Sequence, residues 1–210
     1  MCGIVAYIGQ RNSVPIVLEG LRRLEYRGYD SAGIALVRDG ELYVQKNAGK
    51  VADLAARLAE VPGGLEAQVG MGHTRWATHG EPNDTNAHPH WDGRRKIALI
   101  HNGIIENYQA IKTKLLRDGH TFLGNTDTEV LAHLVGVMHE RTRNLCQAVR
   151  QALQEVDGTY GLVVMSPEEP DTLVVARKGS PLIIGVGEGE HLVASDASAL
   201  VEHTRQVVYL

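Results

Sequence analysis

The chain opens Met1-Cys2-Gly3-Ile4-Val5 and continues Ala6-Tyr7-Ile8. Ile4, Val5, Tyr7 and Ile8 read as a strand, and a strand this near the start carries the residue before it into a core. That residue is a cysteine. Cys2 is small enough for Met1 to be removed, and the mature chain then begins with a residue that holds both a thiol and a free α-amine. Such an amine has a pKa of about 7.7 to 8.0, so part of it is neutral near neutral pH. It can take the thiol proton directly or through one water, as in the threonine–N-terminal amine pair. Gly3 lets the backbone approach a substrate closely. Read from position 2 alone, an ordinary start followed by a buried cysteine is the plainer account.

The rest of the chain bounds the problem. Its 210 residues allow one large domain or two small ones, and 43% hydrophobic residues can fill a sizeable core. The net charge of −4 is dispersed, with no basic stripe for nucleic acid. Two cysteines, Cys2 and Cys146, exclude a disulfide framework and point to a reducing, cytoplasmic setting. There is no signal-peptide pattern and no apolar run of about 18 residues to span a membrane.

Ser13 is the expected cap of a helix with Pro15 in its first turn and Val14, Val17, Leu18, Leu21 and Leu24 on one face. Asp39-Gly40 between two apolar runs predicts a hairpin. Val51, Leu54, Ala55 and Leu58 predict a short helix. Val69 to His73 reads as a strand, followed by a long irregular loop through His90; such loops are usually functional. A strand from Ile97 to His101 is expected to stop at Asn102-Gly103. Helices follow around Tyr108–Leu115, behind Thr126 and around Leu145–Leu153, with a capping box joining Thr126 to Glu129. Cys146 sits in the last of these and is expected to be an inert buried thiol. After Gly158 come short strands, ending in a Val-Val-Tyr-Leu that reads as a strand cut mid-element, the end of a fragment. Many strands with grouped helices argue an α+β domain with largely antiparallel sheets.

Three stretches together overturn the plain account of Cys2. They are the Cys-Gly-Ile-Val start, His73-Thr74-Arg75-Trp76-Ala77-Thr78-His79-Gly80, and His101-Asn102-Gly103-Ile104-Ile105-Glu106-Asn107. The set resembles the class II glutamine amidotransferase domain, a glutaminase of the N-terminal-nucleophile hydrolase type. Arg22 to Gly33 and Asn125 to Glu129 match the same family, and within it the branch that passes ammonia to fructose 6-phosphate in amino-sugar synthesis. The resemblance spans residues 2–210 as one domain and implies a four-layer αββα fold. It also implies sugar isomerase domains C-terminal to this one, a homodimer at full length, L-glutamine as substrate and no cofactor. The phosphoribosyl-diphosphate and asparagine-forming amidotransferases are the alternatives within the class.

By resemblance, Cys2 attacks the glutamine carboxamide, and the Asn102 side chain and the Gly103 N–H hold the oxyanion. On its own, Asn102-Gly103 reads equally as a turn. A zwitterionic substrate needs one fixed cation and one fixed anion. Arg75, with its planar fork, is the candidate for the α-carboxylate and Asp127 for the α-ammonium. As a first-turn acid, Asp127 also suits a helix start. Thr78 and His79 match substrate-contacting positions. Trp76 is either part of a loop closing over glutamine or a packed aromatic. Arg27 either braces the N-terminal residue or makes an exposed ion pair. His88 orders the loop. The histidines at 73, 79, 88, 90 and 101 fit no zinc ligand pattern, so no metal is expected.

Overall fold

The computed structural model describes residues 2–76 and 81–210. In chain order its elements are β1 (Gly3–Ile8), α1 (Ser13–Leu24), β2 (Ser31–Arg38), β3 (Glu41–Ala48), α2 (Val51–Ala59), β4 (Val69–Arg75) and β5 (His90–Trp91). These are followed by β6 (Ala98–Ile105), α3 (Tyr108–Arg117), α4 (Asp127–Thr142), α5 (Leu145–Gln154), β7 (Gly158–Met165), β8 (Leu173–Lys178), β9 (Ile183–Gly187), β10 (Glu190–Ala194) and β11 (Val207–Tyr209). Short 3₁₀ turns lie at Glu25–Arg27 and Ala197–Ala199. No helix among the described residues is long and apolar enough to cross a membrane.

The strands make two antiparallel sheets. One has seven strands in the order β11-β9-β10-β1-β4-β2-β3; the other has four, β5-β6-β7-β8. Period-two alternation explains how they stack. On β1, Val5 and Tyr7 face a core shared with α1 and α2, while Ile4 and Ala6 face a second core between the sheets. On β6 and β7, Ala98, Ile100, Val163 and Met165 enter that same middle core, and Leu99, Leu162 and Val164 turn outward beneath α4 and α5. Residues 4–7, 98–100 and 162–165 are apolar on both faces because each stretch is buried on both. The result is the expected αββα order of layers.

Local signals behave with four exceptions. Asn12, not Ser13, caps α1, its side chain accepting from Val14 N; Ser13 is already inside the helix and buried. Thr126 does cap α4 by accepting from Glu129 N, but the Glu129 carboxylate turns away to the Leu123 and Gly124 N–H groups, so only half of the capping box forms. β6 does not stop at Asn102-Gly103: the ladder with β7 runs on through Asn102↔Gly161 and Gly103↔Tyr160 to Ile105. Cys146 is exposed, because α5 turns Leu145, Ala148, Val149 and Ala152 inward and leaves position 146 on its outer side.

Candidate active site

β1 lies between β10 and β4 in the large sheet, with Gly3 opposite Thr74 and Ile4 opposite His73. That register brings Cys2, one residue before the strand, to the end of β4. Its Sγ accepts from Trp76 N at 3.2 Å and its thiol reaches Trp76 O at 3.6 Å. Parity then does most of the assembly. Cys2 shares a face with Ile4 and Ala6, His73 and Arg75 share one with Met71, and Asn102 shares one with Ala98 and Ile100. All of them therefore point into the space between the sheets. At this end the interlayer core gives way to a cavity of about 500 Å³, lined among others by Cys2, Arg75, Asn102, Gly103 and Asp127. That volume suits a small-molecule site.

The nucleophile candidate is half-buried, and burial pushes its thiol pKa up, against the lowering effect of the Trp76 N–H. It rests as a thiol and needs a base. Asn102 Nδ2 donates to the Cys2 carbonyl at 3.3 Å, and Asn102 Oδ1 lies 2.9 Å from His73 Nε2. Gly103 has φ 134°, and a Cβ there would meet Thr159 O at 2.1 Å, so only glycine holds this backbone at the cavity wall.

Asp127 is the first residue of α4 and is buried. One carboxylate oxygen accepts from Ile105 N at 2.8 Å, which ties the helix start to the end of β6. Arg75 is also buried; burial lowers its pKa, while the charges of Asp30, Cys2 and Asp127 act to raise it. Trp76 is more than half exposed at the cavity mouth, and its ring lies where a Cβ on Gly28 would be, 2.7 Å from ring carbon Cζ3. Arg27 pairs with Asp196 at 2.5 Å and lies 3.4 Å from Ser195 Oγ; the same hydroxyl accepts from Ile4 N at 3.0 Å. The ion pair is only partly exposed, and through Ser195 it buttresses the start of β1. Thr78 and His79 lie outside the described residues.

His88 is buried, its ring 4.3 Å from that of His73 and 5.0 Å from that of His90. Lys46 Nζ holds this segment by donating to Thr85 O at 2.8 Å and Ala87 O at 2.7 Å. His90 Nε2 lies 2.9 Å from the Thr126 hydroxyl, whose oxygen also accepts from Glu129 N. His101 also borders this cavity, its Nδ1 3.1 Å from Thr128 Oγ1 and its Nε2 3.3 Å from Thr159 O. Among the described residues, no cluster of three or more histidines, cysteines or carboxylates is arranged to hold a metal. Sequence reasoning missed Thr159, Ser180 and Pro181, which also line the cavity. The Gly179-Ser180-Pro181 turn was a visible loop signal, but nothing local said which cavity it would border.

The buried imidazoles carry a pH signature. Burial holds His73 down to about 3 and His88 and His90 well below the ordinary range. Above about pH 6.5 these groups are neutral in both folded and unfolded chains and cost nothing. Below it the unfolded chain takes up protons that the fold refuses, so each group removes about 1.4 kcal/mol of stability per pH unit. The urea midpoint should therefore fall steadily from pH 6.5 to pH 4.5. A midpoint that stays flat down to pH 5 would show that these rings can be charged in place.

The glutamine amidotransferase domain family model matches residues 51–209. Glutamine–fructose-6-phosphate aminotransferase [isomerizing] of Chlorobaculum tepidum is 55% identical over all of this chain, which covers 34% of that protein. The enzyme of the same name from Pyrococcus horikoshii is 52% identical, again over all of this chain and 35% of the relative. The chain thus spans about a third of the length of these relatives. Among solved structures, the glutamine phosphoribosylpyrophosphate amidotransferase of B. subtilis superposes with a TM-score of 0.79 at 29% identity, covering all of this chain and 44% of its own.

Proposed function

We infer that this chain, which belongs to the glutamine amidotransferase domain family, hydrolyses L-glutamine to glutamate and ammonia through a thioester on Cys2. The observation that carries the reading is one cavity bordered by a thiol, a carboxamide donor, a glycine N–H, a guanidinium and a carboxylate, on Cys2, Asn102, Gly103, Arg75 and Asp127. Removal of Met1 frees the Cys2 amine, the base that a thiol raised by burial requires. The amine takes the thiol proton and sulfur attacks the carboxamide carbon. The carbonyl electron pair moves to oxygen, where Asn102 Nδ2 and the Gly103 N–H meet the negative charge. The ammonium returns the proton to the leaving nitrogen, ammonia departs, and water hydrolyses the thioester to restore the thiol. Arg75 and Asp127 take the substrate's α-carboxylate and α-ammonium.

In the longer protein, further C-terminal sugar isomerase domains receive that ammonia and convert fructose 6-phosphate to glucosamine 6-phosphate in a cytoplasmic homodimer. The support is the shared name of relatives at 55% and 52% identity, glutamine–fructose-6-phosphate aminotransferase [isomerizing]; the phosphoribosyl alternative rests on 29%. Incubating this chain, without Met1, with glutamine and fructose 6-phosphate should yield glutamate and no aminated sugar. Failure to make glutamate overturns the reading, and stoichiometric sugar product overturns the division of labour.

The recognition roles can be separated from the chemistry. A closed site that leaves one substrate charge unpaired loses binding strongly. Glutamine lacking its α-amine should be a poor substrate for the native chain, and Asp127→Asn should lose most of that preference. Measured kcat/KM ratios that are unchanged in Asp127→Asn would remove Asp127 from substrate recognition.

A further inference from the structure

We propose that His73 is a positioning residue for this reaction: its Nε2–H holds the Asn102 carboxamide with its NH₂ toward the reacting cysteine. The inference rests on the oxyanion role given to Asn102 above. An asparagine amide is nearly symmetric in shape, and rotation about its last bond has broad, roughly two-fold wells. Turned one way, Asn102 offers two donors to a developing oxyanion; turned the other, it offers an oxygen that repels it. Something must choose.

Two neighbours make the choice. The Cys2 carbonyl, 3.3 Å from Asn102 Nδ2, can only accept. An amide oxygen in that place would face another oxygen, so the nitrogen belongs there and Oδ1 points at His73 Nε2, 2.9 Å away. Oδ1 is also only an acceptor, so Nε2 must carry the proton. His73 is fully buried, and a buried imidazole stays neutral with a single N–H. The tautomer is thereby decided by the amide and the amide by the tautomer.

His73 has little freedom to let go. It sits on β4 between Ile4 of β1 and Gly33 of β2, and its ring is covered by His88 at 4.3 Å. His88 is pressed close in turn: its carbonyl lies 2.2 Å from where a Cβ on Gly33 would stand. The oxyanion donor on the small sheet is thus set by an imidazole from the large sheet, itself clamped by the segment that Lys46 holds. A reactive group on a broad rotamer needs such a supporting shell.

The first test needs no variant. Long-range ¹⁵N–¹H spectra of the native chain should show His73 as the neutral Nε2–H tautomer from about pH 5 to pH 8. An Nδ1–H tautomer, or titration in that range, overturns the proposal. The second test is kinetic. His73→Phe, matched for bulk, should slow single-turnover cleavage at least about tenfold and toward the ~10² to 10³ expected for loss of the donor itself, with glutamine affinity changed less than about threefold. His73→Gln, whose amide N–H can reach Asn102 Oδ1, should recover part of that rate. The double variant His73→Phe/Asn102→Ala should be no slower than Asn102→Ala alone. A folded His73→Phe chain at native rate, equal losses in affinity and turnover, or losses that multiply in the double variant all overturn it. If His73→Phe does not fold, the tautomer decides. A native chain that cleaves no glutamine removes the functional reading and leaves the tautomer result standing.

Discussion

Cys2→Ala should abolish glutamine hydrolysis, and Cys146→Ala should leave most of it. The two thiols differ in every respect that matters for nucleophilic catalysis. Cys2 is half-buried, accepts from the Trp76 N–H and borders the cavity that Asn102 and Gly103 also line. Cys146 is exposed on the outer side of α5, which packs against α4 on the far face of the small sheet. The Cys2 effect should be complete, because no other thiol borders the cavity among the described residues. Blocking removal of Met1, or acetylating the Cys2 amine, should inactivate the enzyme and leave its thermal unfolding unchanged, since the base is lost and the core is not. Intact mass spectrometry with a glutamine-analogue electrophile reads both points at once: one adduct, on Cys2, only in chains that lack Met1. An active Cys2→Ala chain would end the thioester mechanism.

Asn102→Ala should cost turnover and spare affinity. In the proposed reaction the oxygen that Asn102 meets is nearly neutral in bound glutamine and negative in the tetrahedral intermediate, so the donor would act on the transition state. Removing one such donor costs about 10² to 10³ in rate, roughly 2.7 to 4 kcal/mol. Asn102→Asp should be at least as damaging, because it places a carboxylate against the developing charge at nearly the same shape, and it also leaves His73 holding the wrong group. Small haloacetamides should still alkylate Cys2 in both variants. Single-turnover rates and glutamine dissociation constants for each variant decide the matter. Collapse of affinity with the chemical step preserved would make Asn102 a substrate-binding residue.

Much of this site was legible in the sequence, and for a local reason. The strand after Cys2 announced a buried start, Thr126 announced the helix that carries Asp127, and the polar loop after His73 announced itself by lacking any apolar period. Period two carries more: Cys2, Ile4 and Ala6, His73 and Arg75, and Ala98, Ile100 and Asn102 are sets whose common faces follow from spacing alone. Elements whose outcome depends on a distant neighbour were harder. Asn102-Gly103 looked like the end of a strand because the dipeptide favours turns; β7 keeps it in the ladder. Cys146 looked buried because its helix is amphipathic; the sheet beneath α5 decided which side faces in. Glu129 looked like a capping-box partner, and the Leu123 and Gly124 N–H groups claimed its carboxylate instead.

Local sequence specifies the chemistry on offer: a cysteine that can become N-terminal, an amide, a guanidinium and a carboxylate, each on an element whose type its neighbours set. That these groups meet is a matter of packing. A strand's alternation says which face a side chain takes, not which strand lies opposite. β1 and β4 become neighbours within one sheet, and β6 of the other sheet faces them across the middle core. His73 and Asn102, far apart in the chain, touch because burying the apolar faces of two sheets against each other leaves their polar ends to meet at one edge. Propensity acts over a few residues; packing acts between layers, and the geometry of the site lies between layers.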